Sequence, residues 1–241
     1  MGVEEVVVDG KRIAITHPDL MIWESQGISK LDYIHYLVRV SGYMIQHARD
    51  RLLMLWLYPH GIAGKRIEKR SVPASAPEWV SRVYYKNKER ILLNDTATLV
   101  WAANYGALEF HVPFDRYDKT DFPMEMVTAF IAEYFREQMP EQITLERVVS
   151  KRGSKLYFDY LQLWRGRTMP VVYSPRARPH ATVATPLTWP ELAEGIQPSD
   201  YTMLNIAGRI SEKGDLFQQL TANKQNQSLH EILAFIERNK G

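Results

Sequence analysis

The 241-residue chain contains no cysteine. Disulfides, thiolate zinc sites and a thiol nucleophile are excluded together, and any metal must be held by oxygen or imidazole. Long apolar runs are missing too. The longest, Leu52-Leu53-Met54-Leu55-Trp56-Leu57-Tyr58, falls far short of the roughly 20 residues a membrane-spanning helix needs. Residues 1–14 carry charges where a signal peptide would be apolar, so the expectation is a soluble, cytoplasmic protein with no membrane partner. There is no Gly-rich phosphate loop ending in Gly-Lys-Ser/Thr, no Gly-x-Ser-x-Gly elbow and no His-Glu-x-x-His pair. These absences remove the simplest ATPase, esterase and metalloprotease readings. The seven histidines form no i, i+4 pair that could ligate a metal from one helix.

What is present is enough apolar residue, 45%, to close a core, and a length that fits one large domain or two small ones at roughly 150 residues each. The net charge of +2 hides an asymmetry. Residues 147–178 hold Arg147, Lys151, Arg152, Lys155, Arg165, Arg167, Arg176 and Arg178 against one acid, Asp159. Such a concentration of cations is either a solvated basic face or a surface that attracts a polyanion.

Periodicity gives a coarse map. Residues 4–15 read as a hairpin turning at Asp9-Gly10. Ser29 and Asp32 form a capping-box pattern ahead of Leu31, Ile34, Leu37 and Val38, predicting a helix from about Lys30 to His47. A buried strand from Leu52, a turn at Pro59-His60-Gly61 and a loop over Pro73–Pro77 follow. A short helix begins after Asp95, stops near Gly106 and leads into a strand at Glu109–Val112. Val127, Phe130, Ile131, Tyr134 and Phe135 mark one apolar stripe of a helix ending before Pro140. Lys155 to Leu163 alternates as a strand, with Asp159 on the face opposite Phe158. A polar link, Thr221–Gln227, precedes a helix capped at Ser228 and running through Ile236. Asp115, Asp118 and Asp121 recur every three residues, a spacing that does not place carboxylates on one strand face and reads as a charged loop.

Four co-linear segments carry a resemblance. They are Asp95 through Val112, Arg152 through Gln162, Tyr173 through Pro179, and Pro186 through Trp189. Together they resemble the polymerase domain of bacterial ATP-dependent DNA ligase D, in the archaeo-eukaryotic primase superfamily, over about residues 8–220. The resemblance implies an α+β, primase-like fold with a mostly antiparallel sheet and flanking helices. It implies a polymerase-like domain over 1–220, with an N-terminal lobe of about 1–120 and a truncated catalytic lobe of about 121–220. Residues 221–241 then form the link and the terminal amphipathic helix.

The activity implied is nucleotide addition at DNA ends in non-homologous end joining, using Mn²⁺ or Mg²⁺. The partners implied are DNA ends with single-stranded or 5′-phosphorylated termini, nucleotides, Ku and a DNA ligase, in a cytoplasmic, nucleoid-associated setting. By position, His111, Arg152, Gln162, Arg176 and Arg178 correspond to nucleotide-binding residues, Lys30 and Lys69 to DNA-binding residues, and Asp159 to a catalytic, metal-binding carboxylate.

The chain also departs from the family pattern. After Phe122–Val127 it passes directly into a helix, without the paired Asp-x-Asp carboxylates and the Ser-Gly-x-Lys-Gly loop that the family carries there. Leu20 and Leu57 stand where the family has basic residues, and Arg66-Ile67 replaces paired phenylalanines. Three readings therefore stay open: a non-catalytic relative that binds DNA ends or nucleotides, a working nucleotidyltransferase drawing on Asp115, Asp118 or Asp121, and an interaction or structural remnant, with homo-oligomerisation covering exposed surface.

Overall fold

A computed structural model describes residues 2–118, 124–222 and 230–238. The chain forms two compact units, Met1–Val112 with Pro170–Asn223 and Pro113–Met169 with Lys224–Gly241. Residues 170–223 therefore group with the N-terminal part and 224–241 with the second unit, a division different from lobes parting near residue 120. Among the described residues no helix is long and apolar enough to cross a membrane.

The first unit opens with the hairpin of β1 (Val3–Val8) and β2 (Lys11–Thr16), in register from Val3 opposite Thr16 to Val8 opposite Lys11. Its two turn residues, Asp9 at φ 48 and Gly10 at φ 71, are both left-handed, as a tight two-residue hairpin turn requires. The short antiparallel pair β3 (Met21–Trp23) and β4 (Ile28–Ser29) delivers the chain to α1 (Lys30–Ala48). The capping box is present: Asp32 N–H donates to Ser29 Oγ at 3.2 Å, and Ser29 N–H donates to Asp32 Oδ2 at 3.0 Å. One face of α1 buries Tyr33, Ile34, Leu37, Val40, Met44 and Ile45.

Strand β5 (Met54–Leu57) lies between β6 (Ile67–Lys69) and the later β9, antiparallel to both. A hairpin of β7 (Arg82–Tyr85) and β8 (Lys88–Ile91) comes between. Helix α2 (Thr96–Asn104) starts where Asp95 Oδ1 accepts from Thr98 N–H at 2.6 Å. Gly106, at φ 105, turns the chain into β9 (Ala107–Pro113), where every residue from Ala107 to Val112 is buried.

In the second unit, α3 (Met124–Gln138) buries Val127, Thr128 and Ala132 while Ile131, Tyr134 and Phe135 stay exposed, so its apolar stripe is only partly covered. Strand β10 (Ile143–Thr144) pairs in parallel with β11 (Leu156–Tyr157). The nine-residue strand expected over 155–163 is corrected to these two residues followed by a 3₁₀ turn, Tyr160–Leu163. Its partner β10 offers only two residues, and beyond them Gln162 N–H bonds Asp159 O and Trp164 N–H bonds Leu161 O, which buries Leu161.

Strand β12 (Thr168–Pro170) carries the chain back, and Val171 N–H donates to Phe110 O at 2.8 Å. Helices α4 (Trp189–Ala193), α5 (Ile206–Lys213) and α6 (Gln218–Ala222) complete the first unit. Thr221 and Ala222 thus close a helix rather than open the polar link. The remainder of that link, Asn223–Gln227, and the cap expected at Ser228 lie outside the described residues. Helix α7 (His230–Arg238) belongs to the second unit, where Phe235 meets α3 edge to face with Phe130 at 5.8 Å.

Candidate functional site

The residues singled out from the sequence fall into two clusters, one in each unit. In the first unit β9 turns Glu109 and His111 to the same face, because alternate residues of a strand share a side. Glu109 is 2% exposed and fully engaged. Its Oε2 lies 2.9 Å from Arg176 Nε and 3.1 Å from His111 Nε2. Its Oε1 accepts from Ala177 N–H at 3.0 Å and from the Tyr58 hydroxyl at 3.4 Å. Burial alone would raise this carboxyl. The hydrogen bond from His111, the Ala177 N–H and the Arg176 charge outweigh it and hold Glu109 below the usual range.

Beside this network the Trp56 ring stacks on His111 with centroids 4.1 Å apart, and the Arg66 guanidinium sits 3.9 Å over the same indole. Arg178 has its carbonyl bonded by Trp23 Nε1 at 2.9 Å, which fixes the backbone just past Arg176 and leaves the Arg178 residue exposed.

The second cluster lines a cavity of about 240 Å³ in the second unit, formed by Arg147, Arg152, Tyr157, Asp159, Leu161, Gln162 and Arg167. Arg152, Asp159 and Gln162, all expected at a nucleotide site, meet here. Arg152 is held by two carbonyls, Nε to Glu146 O at 2.9 Å and Nη2 to Arg147 O at 2.8 Å, and its guanidinium lies 4.1 Å over the Tyr157 ring. Asp159 Oδ1 accepts from the Tyr157 hydroxyl at 3.3 Å. Gln162 Nε2 donates to Thr168 O at 3.0 Å, which leaves its carbonyl oxygen toward the cavity it lines.

Lys30 is placed differently from a phosphate ligand. It is 7% exposed, and its Nζ donates to Thr16 O at 2.7 Å, Asn104 O at 3.1 Å and Thr16 Oγ1 at 3.3 Å. All three ammonium hydrogens are thereby used inside the fold, and burial lowers its pKa. Lys69, at the end of β6, remains half-buried on the outer strand. Leu20 and Ile67 are exposed and Leu57 is buried.

A pair of divalent cations needs carboxylates that bracket both ions. Among the described residues, Asp159 faces three guanidinium groups and no second carboxylate lines its cavity. Asp118 pairs with Arg116 at 3.6 Å, and Asp121 lies outside the described residues. Among the described residues no group of three His, Asp or Glu could hold a metal. This donor set does not fit a two-metal centre.

Three contributors were not read from the sequence. Glu109 could have been, since Leu108-Glu109-Phe110-His111 puts acid and imidazole on one strand face. Arg147 and Arg167 had only the charge of their window to mark them.

Comparison with known proteins bears on both clusters. The sequence profile of the family described as LigD, primase-polymerase domain, matches residues 29–130 and 112–217. The bifunctional non-homologous end joining protein LigD of Bacillus subtilis is 28% identical over 282 residues, covering 92% of this chain and 46% of the relative. The multifunctional non-homologous end joining protein LigD of Mycolicibacterium smegmatis is 22% identical over 279 residues, covering 88% of this chain and 36% of the relative. The chain thus spans less than half the length of these curated relatives. Both alignments are longer than the 241-residue chain, because the relatives carry several dozen residues with no counterpart here. A solved structure described as the polymerase domain from Mycobacterium tuberculosis ligase D in complex with DNA superposes with a TM-score of 0.78 at 21% identity, covering 88% of this chain and 99% of that one. The mixed α+β fold with mainly antiparallel pairing is accordingly that of the ligase D polymerase domain. With its profile matched over most of its length, the chain belongs to the LigD primase-polymerase family.

Proposed function

We propose that this chain is a non-homologous end joining factor that binds DNA ends and nucleotide phosphates without catalysing nucleotidyl transfer. The observation that carries the reading is the Asp159 cavity, where one carboxylate stands among Arg147, Arg152 and Arg167. Phosphoryl transfer depends on positioning and on stabilising charge, which in this family falls to metals held between carboxylates. A cavity with three guanidinium groups and a single acid suits retention of an anion over placement of two cations.

Nucleotide phosphate contacts are assigned to Arg152 and Gln162 in the second unit and, separately, to His111, Arg176 and Arg178 in the first, with Lys69 as a contact to the DNA backbone. Asp159 takes the place of the family's third carboxylate, and any Mn²⁺ or Mg²⁺ it attracts arrives with a bound triphosphate. Lys30 is left out, because its ammonium is spent on Thr16 and Asn104. The names of the relatives support end joining as the setting, and this reading assigns Ku and a ligase as partners in the cytoplasm.

Two assays on the purified chain test the reading. Binding to a 5′-phosphorylated DNA end should be measurable at low salt and fall steeply as salt rises. Primer extension with Mn²⁺ and ribonucleotides should give no product from the wild type. Extension abolished by Asp159→Ala would replace this reading with that of an active polymerase, and salt-insensitive or absent end binding would leave the interaction-remnant reading in its place.

A further inference from the structure

We infer that Glu109 is a positioning residue, which fixes His111 with its proton on Nε2 and holds the Arg176 charge beside it. The inference rests on reading His111 and Arg176 as phosphate ligands, and it adds the group that decides how they present themselves.

The argument begins with hydrogen-bond inventory. An ionised carboxylate only accepts, so the 3.1 Å contact between Glu109 Oε2 and His111 Nε2 requires the hydrogen on Nε2. Burial opposes ionisation of Glu109, yet the His111, Ala177 and Arg176 contacts outweigh it, and the acid is charged at neutral pH. The remaining ring nitrogen, Nδ1, then decides what His111 can do. As a neutral ring it offers an anion a lone pair, which repels. It can donate to a phosphate oxygen only as the imidazolium. Binding of an anion through His111 is therefore coupled to uptake of a proton, and the adjacent Glu109 charge is what stabilises that cation.

Arg176 meets the same oxygen through Nε at 2.9 Å. This is a charge contact without hydrogen-bond geometry, so it sets the Arg176 guanidinium as a cation beside Glu109 and His111. The Ala177 N–H, bound to Glu109 Oε1 at 3.0 Å, fixes the backbone immediately after Arg176. One carboxylate thus anchors a strand residue and a loop residue 65 positions apart in sequence. The other titratable or charged groups around it are Tyr58, whose hydroxyl bonds Oε1, Arg66 over the Trp56 indole, and Tyr33, whose phenol is raised by burial first and then by the nearby Tyr36 and Glu109. Neither phenol ionises in the neutral range, because burial raises both.

The test uses the full chain and side-chain ¹H–¹⁵N NMR of the imidazoles, with ATP in EDTA as the anion probe. In the ligand-free wild type the neutral His111 ring should carry its proton on Nε2; a ring protonated on Nδ1 overturns the inference without any variant. Glu109→Gln, which conserves shape but whose amide can donate as well as accept, should free the neutral ring to populate both tautomers. A folded Glu109→Gln protein whose neutral His111 ring still carries its proton on Nε2 alone overturns the inference. Failure of the wild type to bind ATP would instead overturn the phosphate reading, while the NMR result would still decide the role of Glu109.

Discussion

Lys30 shows how far a residue's type can mislead about its role. A lysine at the start of a helix in a nucleic-acid-binding family reads as a phosphate ligand, yet its ammonium closes on the carbonyls of Thr16 and Asn104. It therefore ties β2 and the end of α2 to the start of α1. Lys30→Met should cost about 1 kcal/mol, since two part-buried carbonyls lose their donor, while leaving DNA-end affinity and its salt slope unchanged. Urea unfolding and a salt titration of binding check the two halves of that statement. Sequence could not reveal this, because the partners lie 14 and 74 positions away and are two backbone carbonyls and one hydroxyl. Glu109 is the converse case. Its neighbour His111 was legible from the motif, but an acid on a buried strand gives no sign of its partners until Arg176 and Ala177 are seen to fold over it.

Elements were legible where local chemistry decides them. The Asp9-Gly10 turn, the Ser29 box and the Asp95 cap all fix their own neighbourhoods, and each appears where the sequence puts it. The strand expected over 155–163 fails because alternation specifies a strand only when a partner of equal length is available. Beyond local reach, two side chains organise the C-terminal helices of the first unit. Glu191 at the start of α4 accepts from Thr188 N–H at 2.8 Å, Lys213 Nζ at 2.8 Å and the Arg209 guanidinium. Arg209 first, then Lys213 and Thr188, hold its carboxyl well below the usual range. A folded-state pKa depressed in this way contributes stability that is present above the unfolded value, about 4.3, and is lost as pH falls below it. Melting temperatures of wild type and Glu191→Gln should accordingly differ at pH 6 and converge toward pH 3. Asp215 does similar work between α5 and α6, taking His47 Nε2 at 2.8 Å, the Tyr173 hydroxyl at 2.8 Å and Phe217 N–H at 3.1 Å. Burial, then the bond to Asp215, raises the Tyr173 phenol. Asp215→Ala should cost about 3 kcal/mol, because it strands buried polar partners, and equilibrium unfolding measures it.

At the scale of the whole molecule, family and fold follow from motifs kept in order, whereas the proposed lack of nucleotidyl transfer rests on the Asp159 cavity and is decided by primer extension. The near-neutral total charge says little about polyanion binding; the distribution says more. If about three phosphates are neutralised, affinity for a single-stranded end should fall with a log–log slope near −2, and Arg147→Gln combined with Arg167→Gln should flatten it. Fluorescence anisotropy across a salt series reads this directly. The N-terminal hairpin carries a different lesson. Asp9, at the tip of β1–β2, accepts from Thr96 and Ala97 N–H at 2.8 and 3.1 Å, and so sits on the positive end of α2 beside Asp95. The hairpin and the strand after it also supply Ile13, Ile15, Ile22 and Trp23 to the core. The family profile begins only at residue 29. A fragment trimmed to the profile match would keep each residue assigned to phosphate binding and yet lose Asp9 from the first turn of α2 and Trp23 from the core, so the matched profile is shorter than the unit that packs together.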